Sequence, residues 1–134
     1  MKAPVVRQVK SLSMSCDKIG NLLLVKFSYT GASDSAVIFP AKVVFFLAKN
    51  LPPETDFNLP LPPVGPTIYQ QDWDDQLWPT AYSVNVMLTD ENTRFALNLN
   101  RKPDLTLVLN RTHTEQVRQM MLGYAEHLID LDAP

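Results

Sequence analysis

The chain is short of cysteine, of glycine and of surplus positive charge, and each shortage removes a class of protein. Cys16 is the single cysteine among 134 residues, so no intramolecular disulfide can form and a reducing compartment is the simpler expectation. With that one thiol and two histidines, His113 and His127, there is no Cys/His set at zinc-ligand spacing. The four glycines, Gly20, Gly31, Gly65 and Gly123, stand far apart, which leaves no glycine-rich loop to wrap a phosphate group. Lysine and arginine number 12 against 14 acids, for a formal net charge of -2. That balance supplies no global positive field to hold a polyanion or an anionic membrane surface. No apolar run approaches the ~20 residues of a membrane-spanning helix.

The opening "MKAPVVRQVKSLSMSC" sets small residues ahead of a cysteine, as a lipoprotein signal does. Lys2, Arg7 and Lys10 interrupt the apolar stretch such a signal needs, and Ser13 stands where leucine is required. A soluble, cytoplasmic protein is the expectation. "NRT" at 110–112 fits the N-glycosylation pattern and reads as chance in a chain without a secretion signal.

What the chain does have is a core: 46% hydrophobic and 19% charged residues fit one globular domain spanning 1–134. "AYSVNVML" sets Tyr82, Val84, Val86 and Leu88 against Ser83, Asn85 and Met87, the alternation of a half-buried strand. "RFALNLN" repeats it with Phe95, Leu97 and Leu99, and "LTLVLN" with Leu105, Leu107 and Leu109. The links "TDEN" and "RKPD" are turn chemistry, and short links predict an antiparallel meander. The stretch that follows reads as a helix, with Thr112 as N-cap and Glu115 closing a capping box. Its predicted inner face is Val117, Met120, Met121, Tyr124, Ala125 and Leu128.

The first half offers the same order: strands in "VKSLSMSC", "LLLVKFSY" and "SAVIFP", then "AKVVFFLAKNL". Val43, Val44, Phe45 and Phe46 favour a strand. Pro40 in a first turn and the helix formers Ala41, Lys42, Leu47, Ala48 and Lys49 tip the reading to a helix, apolar nearly all round and deeply buried. The fold class is therefore α+β: antiparallel sheet or sheets of about six strands with two helices. The repeated order, and the echo of "LAKNL" (47–51) in "YAEHL" (124–128), suggest an internal β-β-β-α duplication, with subunits 1–51 and 80–134 joined by a proline-rich connection, 52–79.

That connection is too proline-rich for a helix or central strand, and connections so long are commonly functional. Its aromatic side chains either strap across the sheet or stay exposed as binding anchors. In the second case Phe57, Tyr69, Trp73 and Trp78 are the anchors, and Asp72, Asp74 and Asp75 form an acidic rim that steers a basic partner. Those acids lack the spacing of a calcium loop, so no metal and no cofactor is expected. The function expected is that of a non-catalytic interaction or assembly protein, binding a protein partner or itself as a homodimer, through this loop or a strand edge. The alternative from another class is a small hydrolase or ligand-binding enzyme, using the acids of 72–75 with His113 or His127. A weak nucleic-acid site on Arg94, Arg101, Lys102, Arg111 and Arg118 is a further alternative, disfavoured because no stacking aromatics alternate with these bases.

Overall fold

A computed structural model of the chain describes residues 5–17, 21–51, 78–100, 104–126 and 128. Among them the elements run β1 (Val5–Cys16), β2 (Leu22–Tyr29), β3 (Ala32–Pro40), α1 (Ala41–Asn50), β4 (Ala81–Leu88), β5 (Asn92–Leu99), β6 (Leu105–Asn110) and α2 (Arg111–Ala125). The class is α+β, with one six-stranded sheet in the order β3-β2-β1-β6-β5-β4. Sequence neighbours pair antiparallel, as their short turns require. At Thr30–Gly31 the turn is closed by Gly31 at φ 77, a backbone state that costs glycine nothing.

The sheet is mixed, which corrects the expectation of a purely antiparallel one. β1 and β6 run parallel, with Val5 opposite Leu105 and Gln8 opposite Val108. Turn chemistry reports only on strands adjacent in sequence, and this pair is joined across almost the whole chain. A second parallel contact links the two outer strands of the row, where Ile38 bridges Thr80 and the Ile38 amide donates to the Pro79 carbonyl at 2.9 Å. The sheet therefore curls until its first and last strands touch at one point.

Inside the curl lies the main core. Alternate residues of the strands, among them Met14, Val25, Val37, Phe95, Leu97 and Leu107, meet Val43, Val44 and Leu47 of α1 and Val117, Met121 and Tyr124 of α2. Each such leucine removed from water contributes about 1.5–3 kcal/mol. The stretch 41–50, whose composition suits strand or helix, is helical, and its first amide, that of Ala41, donates to Asn21 O at 3.0 Å. The expectation that α1 is buried nearly all round fails at Phe46, which is exposed. The end of α1 is encoded locally: Leu51 donates to Leu47 O, and the next residues in sequence, Pro52 and Pro53, have no amide hydrogen to continue the ladder.

α2 starts earlier than its predicted capping box. Its N-cap is Asn110, whose Oδ1 accepts from the His113 amide at 2.7 Å. Glu115 does not reach back to a cap; it is buried and takes two bonds from Arg118 Nε, at 2.8 and 2.6 Å. Tyr82 also departs from expectation, being exposed rather than inward. The β4–β5 register shifts between Ala81 and Ser83, and a bulge turns the intervening residue out of the alternation.

The two runs of three strands share their registers. Every β2–β3 partner pair from Leu22–Pro40 to Phe27–Ser35 recurs seventy positions later in β5–β6. The β1–β2 shift between Val9 and Ser11 matches the β4–β5 shift between Ala81 and Ser83. By this matching Ser15 corresponds to Met87 and Cys16 to Leu88. Leu47, seventh in α1, stands level with Val117, seventh in α2, so the echo of "LAKNL" in "YAEHL" is out of step with the strands.

Candidate functional site

Of the predicted binding residues, the described part of the structure contains Trp78. Phe57, Tyr69, Asp72, Trp73, Asp74 and Asp75 lie outside the described residues. Trp78 packs with Leu22 on a small second cluster of Leu24, Ala36 and Ile38, on the outer face of β2 and β3. Leu24, Ala36 and Ile38 alternate along β2 and β3 with the inward-facing Val25 and Val37, so they form a separate apolar patch behind the main core. Beside it runs an open trough of about 400 Å³ lined by Ser11, Ser13, Lys26, Ser28, Asp34 and Trp78. Trp78 is half-buried there, one side on the fold and one on the trough.

The predicted catalytic pairing places His113 against acids outside the described residues. His113 itself sits in the first turn of α2, where its Nδ1 is buried without a hydrogen-bond partner among the described residues. Burial holds its imidazole below the ordinary value of 6.5. Of the basic residues, Arg94 is exposed on β5, opposite Met87, and Arg118 is engaged with Glu115. Arg101 and Lys102 lie outside the described residues. No group of three or more His, Cys, Asp or Glu side chains among the described residues is placed to hold a metal ion, and no helix among them is long and apolar enough to cross a membrane.

Two features emerge that the sequence reading did not single out. One is the outer side of β4. Among the described residues β4 pairs with β5 alone, apart from the bridge at Thr80 just before it. Tyr82, Met87 and Leu88 are its exposed apolar side chains. The strand carries neither charge nor proline, whereas edge strands are usually guarded by both. Its signal in the sequence is that absence of a guard, together with the early end of α1.

The other is a cavity of about 200 Å³ at the end of the curl away from the helix starts, lined by Val5, Arg7, Tyr29, Ser33, Ser35, Ala36, Val37, Pro79, Leu99 and Leu105. The strand starts of β1, β3 and β6 and the ends of β2 and β5 converge on it. Tyr29 Oη and Ser35 Oγ are 2.5 Å apart, and burial raises the tyrosine's pKa, with smaller lowering effects from the Ser35 hydrogen bond and the charge of Arg7. The signal for it was in "VVRQV": Arg7 falls between Val5 and Val9 on the inward parity of the strand, an unusual place for a charge. No family model matches the chain, and neither does any curated protein or solved structure.

Proposed function

We propose that this chain is a non-catalytic assembly protein that associates through the outer edge of β4, with the β4 strand of a second copy as the occupant. One contrast carries the reading. Ser15 and Cys16 of β1 are 7% and 0% exposed, and their counterparts Met87 and Leu88 are 46% and 56% exposed. On the inner face this stretch of β1 meets the late turns of α2, where Tyr124 bonds to the Met14 carbonyl, whereas Ser15 lies on the outer face, opposite Leu24. Tyr124 is the fourteenth residue of α2, a position that the ten-residue α1 does not possess. The cover given to β1 is thus not matched by α1 over β4.

The chemistry of β4 suits its own copy. Antiparallel pairing centred on Asn85 sets Val84 against Val86, Ser83 against Met87 and Tyr82 against Leu88, all neutral. Like charges never meet, the backbone groups gain partners, and apolar surface leaves water. Eight residues a side cover less than the roughly 800 Å² per partner of a standard interface, so the dimer is a weak, concentration-dependent one. The matched registers further support reading the halves as copies of one β-β-β-α unit joined by the 52–79 connection. In that reading the β1–β6 pairing and the Ile38–Thr80 bridge are equivalent contacts, one extended and one reduced.

Sedimentation velocity over low-micromolar to submillimolar concentrations tests the proposal. The unaltered chain is expected to pass from monomer to dimer, and the double variant Met87→Lys, Leu88→Lys to stay monomeric with an unchanged circular dichroism spectrum. A monomer throughout, or a dimer indifferent to the two lysines, overturns it.

A further inference from the structure

We infer that the cavity at the open end of the curled sheet is a binding site for a small carboxylate carrying a short apolar tail, with Arg7 as its anchor. This rests on the interior of the fold and is independent of the β4 edge.

The lining divides chemically. Val5, Val37, Pro79, Leu99 and Leu105 supply an apolar wall, and Arg7, Tyr29, Ser33 and Ser35 supply the polar groups. Ligand cavities characteristically combine a mostly apolar wall with a few convergent polar groups. Arg7 is opposite Leu107 in the β1–β6 pairing, so it projects from the same face as the core. Its recorded hydrogen bond is from Nη1 to the carbonyl of its neighbour Val6, at 3.1 Å. No carboxylate among the described residues forms an ion pair with it. A guanidinium in that position has most of its donors unspent, and its planar fork matches a carboxylate in a way that a point charge does not. Asp34 is the nearby acid; its charge is felt at Tyr29 together with that of Arg7, and it lines the outer trough instead of this cavity.

The pair of hydroxyls adds to the same chemistry. The Tyr29 phenol, whose pKa burial raises further, is protonated at neutral pH, so either it or Ser35 has a donor to give once the other accepts. Size limits the tail. An apolar cavity of about 150 Å³ holds benzene, so about 200 Å³ accepts a molecule of the size of hexanoate or benzoate, and a long acyl chain has to leave through the mouth.

Amide chemical-shift titration of the full chain with sodium hexanoate tests the inference, with 1-hexanol as a neutral probe of equal length. Saturable shifts are expected at Val5, Arg7, Val37, Leu99 and Leu105, with hexanoate bound at least tenfold more tightly than hexanol. In Arg7→Gln the preference for the carboxylate disappears while hexanol binding is unchanged, and Arg7→Lys retains part of it. The inference is overturned by shifts that do not saturate or that fall elsewhere. Equal binding of the two probes by the unaltered chain, or an Arg7→Gln variant that binds hexanoate as before, overturns it too; that last result assigns Arg7 to solvation of the sheet's open end.

Discussion

The Tyr124 hydroxyl donates a buried 2.9 Å hydrogen bond to the main-chain carbonyl of Met14, 110 residues earlier. It ties the late turns of α2 to β1, and it satisfies a carbonyl that would otherwise lie in an apolar layer of Cys16, Val25 and Met121. Replacing Tyr124 with phenylalanine keeps the ring and strands the carbonyl. We expect a loss of about 1–3 kcal/mol, read as a lower urea midpoint with an unchanged slope.

Asn110, and not Thr112, caps α2. Asn110→Ala removes the acceptor of the His113 amide and is expected to cost about 1 kcal/mol. Thr112→Ala is expected to stay within roughly 0.5 kcal/mol. Equal losses from the two substitutions, measured by thermal or urea unfolding, would contradict the cap geometry.

Stability near pH 6 is expected to depend on His113. Its folded pKa is lowered by burial, from an ordinary 6.5, so between the two values the unfolded chain binds the proton that the folded chain refuses. Unfolding free energy therefore falls as pH drops from about 7 through 6.5 and on through the lower folded value, and levels off below it. His113→Asn should flatten that part of the profile. Comparing variant with unaltered chain at each pH cancels the contributions of His127 and the carboxylates.

Leu107 is fully buried on β6, opposite Arg7 on one side and Phe95 on the other. Leu107→Ala is expected to destabilise by about 2–5 kcal/mol. Leu122→Ala, on the exposed side of α2, is expected to change stability by less than about 0.5 kcal/mol. Chemical denaturation of both variants checks whether the two halves share one core.

Glu115 is 2% exposed and is held by Arg118. Arg118→Ala removes one group that holds the buried carboxylate, and a loss of about 1–3 kcal/mol is expected. Replacing both residues, Glu115→Leu with Arg118→Met, should recover much of it, which a double-mutant cycle in urea measures directly.

The order of amino acids determines by itself whatever depends on neighbours in the chain. The alternation from Ala81 to Leu88 and from Leu105 to Asn110 marks strands at the observed bounds. The helical spacing of Val117, Met121, Tyr124 and Leu128 marks the buried side of the C-terminal segment, because periods of two and 3.6 are local consequences of backbone geometry. Even the ambiguous 41–50 stretch yields to its helix formers. The bulge that turns Tyr82 outward and the cap at Asn110 are finer than periodicity resolves, since each depends on one residue's hydrogen bonds.

Tertiary structure alone decided which strands meet. The parallel contacts of Val5 with Leu105 and Ile38 with Thr80 join segments far apart in sequence. Their pairing is settled by competition among all strands for inward-facing apolar surface, and no local pattern records its outcome. The candidate sites share this origin. Arg7, Tyr29, Ser35, Leu99 and Leu105 come from five strands and become one cavity only when the sheet curls. Met87 and Leu88, on opposite faces of β4, stay in water while their counterparts Ser15 and Cys16 do not, because burial is set by what packs over each strand and not by the strand's own pattern.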